Sequence, residues 1–506
     1  MARSLEQLLA RVPQGRAVTA AEVAVAAAAA GRVLVVLDDD PTGTQSVAGL
    51  PVLLDWEPAS LAWALGQGCP AVYVMTNSRS LPPAQAEHRN REVVRSAFAA
   101  AATAGVRVDF VSRSDSTLRG HFPLEPRTLA AELTAVTGEV VDGLVVVPAF
   151  PDAGRVTVGG IHYAGNPDDG FLPVGETEFA RDATFGYRNS DLREWVAEKS
   201  GGEVRADEVA VIDLATLRLD PAATVAILRS LTQGQPVVCD AVDENDLRLL
   251  ALALAGAEAA GSRFVYRVGP PFVRAVVGQE ARVPLTRAEV AGIGSPPGPG
   301  PGSTGLVAGL GGARNDEHRG LESRTVGGLV VVGSHVGLTT RQVERLLVRR
   351  HPTTLELDVP TALGDGAGAY LAELSRRAAA ALGHGNVVVR TSRTLVRSDD
   401  AQASLAVARR VSAAVVTVVR QVLAVRPPRF VVAKGGITSS DVAAHGLGIR
   451  RAMVRGPLLP GIVSLWEPMD GPALGIPYVV FAGNVGGPES LADVVDLLSP
   501  REGAER

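Results

Sequence analysis

Short runs of Val, Ile and Leu recur along the chain, separated by longer stretches rich in alanine. An unbroken apolar run bounded by polar turns reads as a strand covered on both faces, and its alternation with helical stretches predicts an α/β architecture with mainly parallel sheets. In the first half the pattern places strands at Val33–Leu37, Ala71–Met75, Val106–Ser112, Leu144–Val147, Val209–Ile212, Pro236–Cys239 and Phe264–Arg267. Helices are expected between them, among them Pro83–Ala104 and Ala222–Gln233, and the alanine-rich Ala20–Ala30 reads as a helix leading into the first strand. A second α/β region carries strands at Leu329–Val332, Thr354–Leu357, Asn386–Arg390, Phe430–Ala433 and Tyr478–Phe481, with helices at Thr340–Arg349, Gly368–Leu382 and Ala401–Val425. Between the halves, Gly292–Gly320 contains Ser295-Pro296-Pro297-Gly298-Pro299-Gly300-Pro301-Gly302-Ser303, too dense in proline and glycine for a packed element. The organisation expected is an N-terminal helical extension over 1–30, an α/β domain over 31–285, a Pro/Gly-rich linker or excursion over 286–326 and a second α/β domain over 327–506.

The polar residues gather where strands end. The first strand runs into Asp38-Asp39-Asp40-Pro41-Thr42-Gly43-Thr44-Gln45. Three adjacent carboxylates cannot be buried unpaired without a large desolvation cost. The carboxyl edge of an open α/β sheet is also where ligands bind, so these acids are expected to meet a polar substrate, a metal, or both. The plain alternative is a solvated loop with capping aspartates. Further polar clusters follow the next strands: Thr76-Asn77-Ser78-Arg79, then Ser112 through His121, then Pro148 through Arg155. Arginine forks suit a carboxylate or phosphate, while hydroxyls and acids suit a polyol. The implied ligand is small, anionic and hydroxylated. His121 reads equally as a ligand donor or as a structural histidine.

The second half carries another chemistry. Strands run into Gly333-Ser334-His335-Val336-Gly337, Lys434-Gly435-Gly436-Ile437-Thr438-Ser439 and Gly483-Asn484-Val485-Gly486-Gly487. Glycine turns bring backbone N–H groups close to a ligand, and a following helix adds a favourable field for phosphate. One such turn is an ordinary βα loop; three suggest a nucleotide or polyphosphate. No GxxxxGK[ST] is present, and the formal GxGxxG at Gly300–Gly305 follows no strand, so neither a P-loop nor a dinucleotide fingerprint is read. Lys434 either adds a cation at this site or faces solvent. One half for a hydroxylated acid and one for a nucleotide point to a kinase with its active site in the interdomain cleft.

Composition narrows the classes. A chain of 506 residues is too long for one ordinary core. Its net charge of −5 argues against a broad basic surface for nucleic acid. Cys69 and Cys239 read as reduced core thiols, since no Cys/His spacing suggests zinc. No charge-free run is long enough to span a bilayer, and a cytoplasmic location is expected.

The motifs resemble those of the four-carbon acid sugar kinases. The family's DDxTG pattern stands here as Asp39-Asp40-Pro41-Thr42-Gly43, its DSTxRG stretch as Asp115-Ser116-Thr117-Leu118-Arg119-Gly120 after Ser112-Arg113-Ser114, and its PAFPxxGR stretch as Pro148–Arg155. GGxTS is Gly435–Ser439, and the GNxGG-like turn is Gly483–Gly487. Proline follows the paired aspartates where compact members often have an apolar residue, and Gly333-Ser334-His335-Val336 replaces the usual GSCS turn. The resemblance implies a sugar-acid domain followed by an ATP domain. It implies Asp39, Asp40, Arg113 and Arg155 lining the acid site, with Asp39 or Asp40 catalytic; the same polar clusters offer Thr42, Arg79, Asp115 and Arg119 as further candidates around the acid. Arg113 and Arg155 would hold the acid's carboxylate. Ser334, Gly435, Gly436, Thr438 and Gly483 would line the ATP site, the glycine turns offer Lys434, Asn484 and Gly486 as further candidates, and Mg²⁺ would bridge the phosphates through ligands the sequence does not name. The partners implied are a sugar acid and ATP, with neither nucleic acid nor membrane, and a homodimer stays open. The rival readings are an NAD(P)-dependent oxidoreductase on sugar acids and a non-catalytic sugar-acid sensor.

Overall fold

The computed structural model describes residues 2–294, 327–333, 336–392, 401–483 and 485–500. The Pro/Gly-rich run over 295–326, Ser334, His335 and Asn484 therefore lie outside the described residues. The chain divides into two compact units, Met1–Pro284 with Arg450–Ser464, and Leu285–Ile449 with Leu465–Arg506.

The strands are β1 (Arg32–Asp38), β2 (Pro51–Leu53), β3 (Ala71–Met75), β4 (Arg107–Arg113), β5 (Gly143–Val147), β6 (Arg155–Val158), β7 (Ile161–Asn166), β8 (Gly170–Pro173), β9 (Ala210–Ile212), β10 (Gln235–Cys239), β11 (Phe264–Val268), β12 (Leu329–Val332), β13 (Thr353–Leu357), β14 (Val387–Thr391), β15 (Val431–Lys434), β16 (Arg451–Leu459), β17 (Val463–Pro468) and β18 (Tyr478–Phe481).

In the first unit the sheet order is β16-β2-β3-β1-β4-β11-β5-β10-β9. β16 runs antiparallel to β2, whereas β1, β3, β4, β5, β9, β10 and β11 pair in parallel. The central strands are buried along nearly their whole length, as their unbroken apolar runs require. The helix Pro83–Ala104 turns Ala86, Asn90, Val93, Val94, Ala97, Ala100 and Ala101 inward, a helical spacing, and Gly105 ends it at φ 68°. The helix Ala20–Ala30 starts on a capping box between Thr19 and Glu22 and is part of this unit.

Two parts of this unit differ from the sequence reading. The stretch over 155–173, where the sequence pattern placed no strand, forms the small antiparallel sheet β6-β7-β8. Arg450–Ser464 belongs to the first unit, where Arg451 to Met453 pair with Leu53 to Pro51.

The second unit has the order β13-β14-β12-β15-β18-β17, in which β13, β14, β12, β15 and β18 pair in parallel with one another in that order. The helices Gly337–Arg350, Ala367–Leu382, Ala401–Val425 and Ser490–Leu498 accompany it. Residues 286–294, expected within the linker, begin with the helix Arg287–Ala291, capped by Thr286 and Glu289. Cys239 is buried, but Cys69 is half-exposed, so only one of the two thiols lies in the core.

Candidate active site

Strand register builds the acidic end of the first unit. β1 lies between β3 and β4, and Asp38 falls opposite Arg113. The Arg113 guanidinium donates to Asp38 Oδ1 at 2.6 Å and reaches Asp39 Oδ1 at 3.5 Å. Asp38, Asp39 and Arg113 are all buried. Burial pushes the Asp38 carboxyl up to about 7 although Arg113 pulls it down, and the charges of Asp39 and Asp40 add to the rise. Gly43 closes over this acid: a Cβ there would stand 1.9 Å from Asp38 Oδ2.

Arg79, from the turn after β3, clamps the other two acids. It donates to Asp39 Oδ1 at 2.5 Å and to Asp40 Oδ2 at 3.3 Å. Asp40 also accepts from the Thr42 backbone N–H at 2.9 Å and the Thr42 hydroxyl at 2.6 Å, capping the short helical turn Pro41–Ser46. Burial raises the Asp40 carboxyl, but Arg79 and Arg113 outweigh it and hold the group below the usual range. Its side chain is 20% exposed against 2% for Asp39, so Asp40 is the acid of the trio open to a ligand.

The loop after β4 supplies a second cluster. Ser114 donates to Asp39 Oδ2 at 3.2 Å. Asp115 accepts from Thr117 and, at 2.7 Å, from Arg119 Nε. Arg79 and Arg119 together overcome burial and hold Asp115 well below the carboxylate range. Arg119 and Arg155 each lie with their guanidinium carbon 5.5 Å from the centre of the Phe179 ring. Asp182 stands 3.6 Å from Arg119. Arg155 has no carboxylate partner among the described residues; its Nη1 donates to the Ala153 carbonyl, and its buried Nε has no hydrogen-bond partner.

These contacts sort the arginines. Arg113 is the buried counter-ion of Asp38, and Arg79 is the clamp of Asp39 and Asp40, which replaces the expectation that Arg113 meets a carboxylate directly. Arg119 is 26% exposed, and Arg155 is half-buried. His121 resolves to a structural role: its Nε2 lies 3.1 Å from the Ser78 carbonyl and 3.0 Å from that of Leu81, with Phe185 edge-on at 5.0 Å. Sequence reasoning missed Phe179 and Asp182, which lie in a stretch without a strand pattern. It also missed Arg267, a buried guanidinium that donates to the Asp115 carbonyl at 2.9 Å and the Arg119 carbonyl at 3.2 Å. A charge inside the apolar run Phe264–Val268 was the available signal.

In the second unit, adjacent parallel strands β12, β15 and β18 bring three glycine turns to one sheet edge. Gly435 adopts φ 124°, turning β15 directly into the helix Gly436–Asp441. Thr438 packs on the first turn, its Oγ1 2.1 Å from where a Cβ of Gly333 would stand. Thr339 donates to the Gly483 carbonyl at 2.9 Å, and Gln342 donates to those of Val485 and Gly487 at 3.0 and 2.9 Å. Gly486 turns at φ 81°. The loop is thus tied to the helix Gly337–Arg350.

Lys434 does not face solvent. It is fully buried, donates to the Ala482 carbonyl at 2.6 Å and lies 3.7 Å from the centre of the Phe481 ring. Burial pulls its ammonium down to about 7. No group of three or more His, Cys, Asp or Glu side chains converges as a metal site among the described residues. The aspartate trio is no exception, because two arginines hold its oxygens. These residues therefore do not form a cage for Mg²⁺.

Residues 34–276 match the family model of a sugar-binding N-terminal domain, and residues 329–491 that of a nucleotide-binding C-terminal domain. The chain belongs to the four-carbon acid sugar kinase family. It is 28% identical over 228 residues to a D-erythronate kinase of Heliobacterium modesticaldum, covering 43% of this chain and 47% of the relative. It is 28% identical over 291 residues to a D-threonate kinase of Salmonella typhimurium, covering 57% of this chain and 54% of the relative. The matches thus span about half the length of these curated relatives. Among solved structures, a Salmonella typhimurium LT2 protein described as a tRNA synthase superposes with a TM-score of 0.62 at 18% identity, over 91% of this chain and 98% of its own. A Haemophilus influenzae protein of the DUF1537 family does so at 0.56 and 18%, over 91% and 99%. At such identity these two likenesses establish the fold alone.

Proposed function

We propose that the protein transfers the γ-phosphoryl group of ATP to a terminal hydroxyl, O4, of a four-carbon sugar acid of the tetronate or 3-oxo-tetronate class. The observation that carries this reading is the division of arginines at the acidic edge: Arg79 and Arg113 are neutralised by aspartates, whereas Arg155 has no carboxylate partner among the described residues. A guanidinium left short of a counter-ion at a strand edge is suited to a substrate carboxylate. The names of the two kinase relatives support the acceptor class, and the nucleotide-binding match supports the donor.

In this mechanism Arg155 holds the acid's carboxylate with help from Arg119. Asp40 receives the far hydroxyl as a hydrogen-bond acceptor. Its carboxyl, held low by Arg79 and Arg113, is a weak base, which suits a loose phosphoryl transfer dominated by positioning rather than early proton removal. Asp39, locked by Arg79 and Ser114, fixes the clamp that aims Asp40. In the second unit, the turns at Gly435–Gly436 and Gly483–Gly487 offer backbone N–H groups to the nucleotide phosphates. Mg²⁺ would be held mainly by those phosphates and water, supplying charge neutralisation.

The test is ADP release by the purified protein with Mg-ATP and a panel of threonate, erythronate and 3-oxo-tetronate stereoisomers. Turnover with one acid, lost in Asp40→Asn, supports the reading. Acid-dependent change in NAD(P)H absorbance would favour the oxidoreductase instead, and binding of acid without ATP turnover would favour a sensor.

A further inference from the structure

The first unit's anion-binding edge contains a residue that no motif marks. Phe179 is half-buried on the short turn Glu178–Arg181, and both Arg119 and Arg155 lie over its ring at 5.5 Å. Two like charges repel, and holding both against one ring requires a reason. The aromatic face attracts each cation, which offsets that repulsion and fixes both guanidinium groups relative to one rigid plane. The turn itself is anchored to the loop it serves. Tyr187 donates through its hydroxyl to the Thr117 carbonyl at 2.7 Å and through its backbone N–H to the Ala180 carbonyl at 3.1 Å. Asp182 pairs with Arg119 at 3.6 Å.

Neutralisation of the two cations is unequal. Arg119 has Asp115 and Asp182, whereas Arg155 has neither acid within ion-pair distance. An incoming carboxylate therefore meets Arg155 first, at a place set by the Phe179 ring. From that fixed point the length of the acid decides which of its hydroxyls arrives at Asp40.

We propose that Phe179 is the specificity-determining residue for acid chain length, acting as the spacer that fixes the carboxylate-binding arginines. The proposal rests on the kinase reading above. Removing the ring frees Arg119 and Arg155 to separate, so a carboxylate is held less tightly and at a less defined distance from Asp40.

The experiment compares wild type with Phe179→Ala, Phe179→Leu and Phe179→Tyr on three-, four-, five- and six-carbon aldonates. It measures kcat and KM by ADP release and acid affinity by calorimetry. The expected result is a KM for the preferred acid raised about tenfold in Phe179→Ala, the loss of one ring shared by two cations. The kcat should change far less, and the preference for that acid over its one-carbon-longer homologue should fall by a similar factor. Phe179→Tyr keeps the ring and should keep the preference. Phe179→Leu keeps apolar volume without the ring and should lose it, which separates the role from packing even if the alanine variant does not fold. Wild-type KM and wild-type length preference in Phe179→Leu would overturn the proposal. A wild-type protein that binds the acids but never turns over ATP would sink the kinase reading instead, and the calorimetric length preference would then decide on Phe179 alone.

Discussion

Lys434 offers a perturbation whose magnitude follows from the structure. Its side chain is fully buried, with the Ala482 carbonyl and the Phe481 ring as its polar contacts and no carboxylate in ion-pair range among the described residues. Desolvation moves its ammonium from 10.5 down to about 7, a displacement worth about 5 kcal/mol between the charged and neutral forms. The ring and the carbonyl favour the ammonium by about 1–2 kcal/mol each, which limits the displacement without cancelling it. Because the folded value lies below the unfolded one, the unfolded chain binds the extra proton between those two pH values, and stability rises with pH across that window. Lys434→Met removes the titration and keeps the volume. Between about pH 7.5 and about pH 9.5, wild type should gain roughly 2–3 kcal/mol of unfolding free energy relative to the methionine variant. Only Lys199 and Lys434 are lysines, so lysine-selective ¹³C labelling gives an uncrowded Cε spectrum in which the variant assigns the resonance. A Cε midpoint above about 10, the ordinary lysine range, or parallel stability–pH curves for the two proteins, would refute the burial argument.

Other perturbations separate structural from ligand-facing groups. Arg113→Leu leaves Asp38 buried without its counter-ion and should destabilise the first unit by about 3–5 kcal/mol in chemical denaturation; adding Asp38→Asn should recover part of that loss, and a fully additive pair would contradict the buried ion pair. Arg155→Leu should leave thermal stability near wild type while raising KM for the acid about 10- to 100-fold, and an unchanged KM would remove Arg155 from the site. Gly43→Ala drives a Cβ to 1.9 Å from Asp38 Oδ2 and should cost about 1–3 kcal/mol or more of stability, with activity lost, by the overpacking it forces; wild-type stability and turnover together would show that the loop is not held over the acid.

Much of the scaffold was legible because its signals are local. The apolar runs of β1, β3 and β12 predict buried parallel strands, and Pro83 with Gly105 marks both ends of an amphipathic helix. The polar clusters at the ends of β1, β3 and β4 share one edge because those strands are parallel neighbours, so their convergence was readable from the period alone. What was not readable depends on pairing between distant residues. Arg113 looks like any strand-end arginine until register sets it opposite Asp38. The return of β16 to β2 joins residues almost four hundred positions apart, with no local mark of its partner. Phe179 sits in an irregular turn, so its ring over two arginines emerges only from the packing of the stretch that follows β8.

The central claim is that phosphate is delivered to a terminal hydroxyl of a short sugar acid. Its most direct test is the ³¹P spectrum of the product formed from ATP and the preferred four-carbon acid. A primary ester at O4 places phosphorus beside a CH₂ group, so the account predicts a new phosphomonoester signal split into a triplet by its two protons, absent with Asp40→Asn. A doublet, from a secondary ester, would contradict the proposed geometry, and inorganic phosphate alone would contradict transfer to the acid.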